Sequence, residues 1–307
     1  MQTRFRLWQV AVLLALICAG IGGAAYLYLT RAPASPADLA SYLPDKNATL
    51  AYIDVDAMRR SGILNMIAGT KAAEELEYKS FVEQTSFDYR HDLDAIAATF
   101  TGDQIFFVLR GRFNWKKLRA YAQGQGGTCR NSFCSLSGSK PQRRISFYSL
   151  KSNLMAMAVS PDDMAAYQVV RNASRVNPFA PAEPVWMLVP SAVLKRSESL
   201  PSGMRAFAIA LENAERIVFS VGAEGDHLQV GMNVTCSNPE AASALLVQLE
   251  GTTNTLRKWL AREHQRANAD DLSGVLTAGS FRREDRRVLG QWPLQRAFVD
   301  SLAGGSY

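Results

Sequence analysis

Histidine and cysteine are scarce, at three and four in 307 residues, and the chemistry they usually carry is missing with them. His91, His227 and His264 are scattered with no HExxH or comparable ligand spacing, so no metal centre is expected. No Walker sequence occurs, and Gly124-Gln125-Gly126-Gly127 lacks the last glycine of a dinucleotide fingerprint because Cys129 stands there. Ser137-Gly138-Ser139-Lys140 matches S-x-x-K, but it sits in a turn-forming stretch without the companion S-D-N and K-T-G motifs. No cofactor is expected from any of these. Four cysteines are too few for a disulfide scaffold, and 21 glycines with 12 prolines exclude collagen-like or low-complexity chain.

Acidic residues are absent from the first 31 positions, while Arg4, Arg6 and Arg31 lie there. About half of the net charge of +6 is therefore local to the amino terminus. The rest of the chain is nearly balanced, which removes the electrostatic case for a nucleic-acid partner.

What is present is a long apolar run. Leu7 to Leu29 has Gln9 as its one clearly polar side chain and would span roughly 34 Å as a helix, enough to cross a bilayer. Arg4, Arg6 and the α-amino group precede it, and only Arg31 follows. The positive-inside rule then puts the amino terminus in the cytoplasm and the bulk outside, anchored in the cytoplasmic membrane. Trp8, Tyr26 and Tyr28 suit the two interfaces. A cleaved signal peptide is the competing reading, since Trp8 to Cys18 is followed by the small residues Gly23 and Ala25. Lipoprotein processing at Cys18 is disfavoured by the bulky Ile17 before it.

The pattern predicts an α+β chain with mainly antiparallel sheets packed by helices. Its parts are a stub and transmembrane anchor (1–31), a tether (32–39), a first unit (40–177), a Pro-rich linker (178–184) and a second unit (185–307). Pro178, Pro181 and Pro184 mark the break between units. In the first unit, Thr49 to Val55 reads as a buried strand entering a helix capped by Asp56. More helix is expected from Lys71 to Glu83. Thr101-Gly102-Asp103 turns a hairpin, a helix follows from Asn114, and strands are expected at 128–136, 144–150 and 154–159. Ser160-Pro161-Asp162-Asp163 is expected to cap a further helix.

In the second unit, Val185 to Val189 is a strand, and a hairpin turns at Glu224-Gly225-Asp226. Leu228, Val230, Met232, Val234 and Cys236 alternate on one strand face. Ser237-Asn238-Pro239-Glu240 opens a long helix with a Leu245, Leu249, Leu256, Leu260 stripe. Gly274 to Trp292 reads as a hairpin with Glu284-Asp285 at its tip, before a helix carrying Leu294, Ala297, Phe298 and Leu302. The same order of strand, helix, Gly-Asp hairpin and capped helix in both units suggests an internal repeat, offset by about 123 residues between Asp103 and Asp226.

Cys129 and Cys134 flank RNSF, and a hairpin there would oppose them closely enough to bond. A disulfide is the favoured reading outside the cytoplasm, with free thiols as the alternative. Cys236 on an apolar strand face reads as a buried thiol. Asp54/Asp56 and Asp92/Asp94 are the paired carboxylates, and Asp54 and Asp56 are the residues around which a polar pocket could form. Basic clusters at Arg59/Arg60, Lys116/Lys117/Arg119, Arg143/Arg144 and RREDRR (282–287) read mainly as solvated faces. Sequons stand at Asn47, Asn172 and Asn233.

Leu43 to Val55, LPDKNATLAYIDV, resembles the opening of a loose group of exported bacterial proteins of unknown function, in which an LP-led turn runs into an A-Y-(I/V)-x-(V/A) strand. The resemblance implies a membrane-tethered, envelope-facing protein with a twice-repeated α+β body, and it transfers no active site. The expected function is thus a non-enzymatic binding or interaction module of the cell envelope, with the bilayer as partner through residues 7–29 and an envelope protein or polymer as the other. The alternatives are an exported enzyme with a dispersed site and a cleaved, soluble ligand-binding protein.

Overall fold

The structure is a computed structural model that describes residues 35–44, 48–68, 76–138, 143–171, 181–194, 202–224, 227–264, 266–268, 271–295 and 298–299. The expected anchor at 7–29 lies outside the described residues. Among those described, no helix is long and apolar enough to cross a membrane. Residues 36–307 form one compact unit.

That unit is α+β. Its strands are β1 (Thr49–Asp54), β2 (Leu93–Thr101), β3 (Gln104–Gly111), β4 (Thr128–Arg130), β5 (Phe133–Ser137), β6 (Arg144–Lys151), β7 (Leu154–Ser160), β8 (Val185–Val189), β9 (Arg216–Glu224), β10 (His227–Thr235), β11 (Ser280–Glu284) and β12 (Arg287–Leu294). They join in a single sheet in the order β11-β12-β10-β9-β8-β1-β2-β3-β7-β6-β5-β4, and every neighbouring pair is antiparallel.

One sheet therefore runs through both expected units, seamed where β1 pairs with β8. Counted outward from that seam, β1-β2-β3-β7-β6 and β8-β9-β10-β12-β11 follow one plan, and β5-β4 extends the first arm. The end of the expected linker is tied to the seam, because the Asp54 N–H donates to the Pro184 carbonyl at 2.7 Å.

Register sorts the side chains by face, because directly paired residues point the same way. Tyr52, Ala97, Val108, Ala156, Tyr148, Phe133 and Trp186 share one face. Leu109 with Met155, and Met157 with Phe147 and Cys134, point to the other, where the helices pack. In the second arm the helix-facing row includes Ile217, Val234 and Val288, each 0% exposed. The alternation expected for β10 is present, with Leu228, Met232, Val234 and Cys236 buried.

The helices are α1 (Pro36–Ala40), α2 (Val55–Arg60), α3 (Ile63–Ala68), α4 (Leu76–Thr85), α5 (Tyr89–Asp92), α6 (Trp115–Gly124), α7 (Ser191–Leu194), α8 (Ser202–Leu211), α9 (Pro239–Arg262) and α10 (Leu272–Thr277). Asn114 and Asn238 cap α6 and α9 by accepting from Lys117 N and Ala241 N. In α9, Leu245 and Leu249 are buried against a core that includes Phe207 and Trp292, and Leu260 is also buried.

Five local expectations change, the first being that Leu294, expected on the last helix, ends strand β12 and pairs with Leu228. Pro36–Ala40 is a helix whose Leu39 is 0% exposed, so the end of the expected tether belongs to the body. Asp54 caps α2 in place of Asp56, because the helix starts directly off the strand. Ser160 ends a strand without starting an α-helix. Its hydroxyl accepts from Asp162 N, and Asp162 in turn accepts from Met164 N. These local bonds compete with a helical turn, and a 3-10 turn at Ala165–Gln168 follows. Gly274 to Thr277, expected as strand, is helix α10, capped by Asp271 through Ser273 N. The Gly225-Asp226 turn and, of the last expected helix, residues 296–297 and 300–307 lie outside the described residues.

Candidate apolar binding site

Asp54 and Asp56 are spent on structure. The Asp54 carboxylate accepts from Ala57 N at 2.8 Å. Burial, followed by the Asp54 charge, pushes the neighbouring Tyr52 hydroxyl up to about 12. Asp56 pairs with Arg59 at 3.0 Å and Arg60 at 3.3 Å. Asp92 pairs with Arg112 and accepts from Asp88 N, while Asp94 falls at the bulge between β2 and β3. Neither of the two cavities described below includes Asp54 or Asp56. Among the described residues no cluster of His, Cys, Asp and Glu could hold a metal ion.

Cys129 and Cys134 form the expected disulfide, across a direct β4–β5 pair with Cα atoms 4.1 Å apart. Asn131, at φ 55°, makes the turn, a conformation Asn tolerates well. Cys236 is a buried free thiol, and burial with the nearby Glu215 charge pushes its pKa up. Its reactivity is correspondingly low.

The hairpin docks on the end of α6. Gly127 N donates to the Ala122 carbonyl at 2.9 Å, and a Cβ at Gly127 would come within 2.7 Å of that oxygen. Only glycine permits this approach.

Next to the hairpin lies a cavity of about 270 Å³ whose exposed lining atoms are all apolar. Its floor is the helix-facing side of the sheet: Leu109 of β3, Leu136 of β5, Ile145 and Phe147 of β6, and Met155 and Met157 of β7. Its roof is Phe81 of α4, Phe87, Phe113, and Leu118, Tyr121 and Ala122 of α6. Phe81 meets Tyr121 edge-on with centroids 5.1 Å apart, and Phe87 stacks on Phe113 at 5.4 Å. Aromatic pairs at such distances prefer these arrangements.

Polar bonds hold the roof from outside the cavity. The Lys117 ammonium donates to Ser86 Oγ at 2.6 Å, beside Phe87. The Tyr78 hydroxyl donates to Asp88 at 2.7 Å, and Arg90 pairs with Asp88 at 2.9 Å. Burial acts to raise the Asp88 pKa, but the Arg90 and Tyr78 hydrogen bonds outweigh it and hold the carboxyl down at about 2. Burial and the Asp88 bond push the Tyr78 hydroxyl up.

The RREDRR tip borders a second cavity of about 450 Å³, lined by Arg216, Asn233, Thr235, Glu284, Asp285, Arg286 and Arg287. Glu284 pairs with Arg282 and Arg287, and Arg286 approaches Glu215 at 4.0 Å. The cluster neutralises itself only in part, with four arginines against Glu284 and Asp285 in residues 282–287, as a solvated face does. Of the sequons, Asn233 lies half-buried on β10, while Asn47 and Asn172 lie outside the described residues.

The sequence pattern did not point to the apolar cavity. Phe87 and Phe113 fall between regular elements, where neither periodicity applies, and Met155 and Met157 look like ordinary strand core. Only their convergence identifies the site.

No family model matches the chain, and no curated protein matches it. Solved structures titled as crystal forms I, III and IV of TP0453 are similar over 86–87% of this chain and 97–98% of theirs, at 9–10% identity. Their TM-scores are 0.46, 0.49 and 0.42 respectively.

Proposed function

We propose that the chain is a single-pass protein of the cytoplasmic membrane whose extracytoplasmic α+β body is a non-enzymatic binding module of the cell envelope, holding an apolar ligand. The observation that carries the binding reading is the cavity over β3, β5, β6 and β7, into which no polar atom is exposed. Such a site can hold a molecule but offers no acid, base or nucleophile to transform it. The carboxylate pair Asp54/Asp56 is committed to a helix cap and two ion pairs. The membrane location rests on Leu7 to Leu29 and the arginines around it.

Two measurements test this. A reporter active only outside the cytoplasm, fused after Ala40, is expected to work, and activity of a cytoplasm-only reporter instead would refute the topology. The full chain should brighten an apolar dye, and Asp54→Asn, which keeps a capping side chain, should leave that signal unchanged. Loss of the signal in Asp54→Asn would place ligand chemistry at the carboxylate and defeat the reading.

A further inference from the structure

We propose that the apolar cavity holds one unbranched hydrocarbon chain of an amphiphile whose polar end stays in water. The proposal rests on the binding reading above and names its ligand class. Chemistry comes first: a polar group taken into this lining would find no partner and would bear its full desolvation cost, so the part that enters is hydrocarbon. Size comes next. The cavity of about 270 Å³ exceeds the roughly 150 Å³ apolar cavity that stays dry and accepts benzene. With a methylene taken as about the size of a water molecule, roughly 30 Å³, it accommodates about nine carbons of a chain.

Access and adaptability agree with a chain. Leu118, Ala122 and Phe147 are buried deep in the wall, whereas Tyr121, Leu136 and Ile145 are half-buried. The site thus opens at the surface, and a head group can remain outside. Met155 and Met157 supply flexible, polarizable wall that conforms to a chain better than branched residues do. The amino-terminal anchor expected at residues 7–29 would keep the body beside a bilayer, where such chains are abundant. A free fatty acid and a phospholipid acyl chain share this chemistry, and the test separates them.

Native membranes carrying the full chain are incubated with palmitic acid bearing a mid-chain diazirine, or with phosphatidylcholine carrying the same chain, then irradiated, and the adducts are mapped by mass spectrometry. Adducts between Phe147 and Met157 are expected with at least one probe. The free acid alone would identify a fatty-acid site, the phospholipid alone an acyl-chain site, and both a site open to either. Adducts confined to residues 7–29, or none, would overturn the proposal.

Unlabelled alkyl carboxylates should compete about 4-fold better per added methylene, levelling after about nine. Competition that does not change with chain length would also overturn it. Ala122→Phe, which fills the cavity, should cut labelling at least about 10-fold. The competition series on the unaltered chain stands whether or not that variant folds. Absent labelling with an intact reporter result removes the ligand and leaves the topology; the converse removes the topology alone.

Discussion

The two arms of the sheet solve the problem of burial differently. In the arm from β1 to β7 both faces are covered: Ala97, Val108 and Ala156 are 0% exposed on one face, and Cys134 is 0% exposed on the other. In the arm from β8 to β12 the helix-facing row is as deeply buried, but the opposite face carries Ser220, Gly231, Asn233, Thr235, Gln291 and Arg287, none of them buried. Apolar residues fill both rows through the first arm, whereas in the second arm that opposite row is buried only beside the seam, at Trp186 and Val218, each 3% exposed.

The helix layers differ as well. Over the second arm lies the 24-residue α9, whose Leu245 and Leu249 meet Ile217, Val234 and Trp292 in a continuous core. Over the outer strands of the first arm lie the two ten-residue helices α4 and α6, bridged by loop aromatics, and a cavity remains between them and the sheet. The core is continuous under α9, and the cavity in which binding is proposed lies under α4 and α6.

Truncation should separate the arms most strongly. Leu249→Ala, at a position 0% exposed, is expected to cost about 2–5 kcal/mol in urea unfolding. Met157→Ala should cost at most about 2 kcal/mol, since that side chain is half-buried and already borders a cavity. Equal losses would erase the distinction. Enlargement should do the reverse. Ala242→Leu, on the buried face of α9, should destabilise by about 1–3 kcal/mol through overpacking, while Ala122→Leu should stay within about 0.5 kcal/mol because the cavity receives the added carbons.

Removing both bonded cysteines, Cys129→Ser with Cys134→Ser, should lower stability by about 2 kcal/mol, the small-loop end of the disulfide range. The deficit should vanish when the unaltered chain is reduced. The smallest effect concerns the roof. The Asp88 carboxyl is held at about 2 against an ordinary 3.8, so its contribution is fully present above pH 4 and is lost as pH falls from about 4 to 2. At most about 2.5 kcal/mol is involved. Asp88→Asn should flatten that part of the acid-unfolding profile, and an unchanged profile would show that the Arg90 and Tyr78 bonds do not stabilise the fold.

Much of this fold was legible in the sequence. The β9–β10 alternation, the Asn-Pro start of α9 and the Cys129–Cys134 hairpin are short-range patterns, each set within about ten residues. The seam between β1 and β8 was not, because a buried central strand looks the same whether its neighbour is near or distant in the chain. Asp54 displaced Asp56 as the cap because α2 starts with no connector after β1, a difference of two residues that no propensity resolves. The cavity was the least legible feature. Its walls come from Phe81, Phe87, residues 109–122, Leu136, Ile145, Phe147, Met155 and Met157, and a gap is a property of how those segments fail to fill space, which no single segment encodes.

The most direct test of the contrast between the arms is a methyl spectrum of the full chain in lipid nanodiscs with labelled methionines, recorded as decanoate is added. Met155 and Met157 line the cavity, and Met232 lies in the core under α9. The expected result is saturable shifts of the Met155 and Met157 methyls with Met232 unmoved. Shifts at Met232 equal to those at Met155 and Met157, or no saturable shift at either cavity methionine, would contradict the assignment of binding to the first arm.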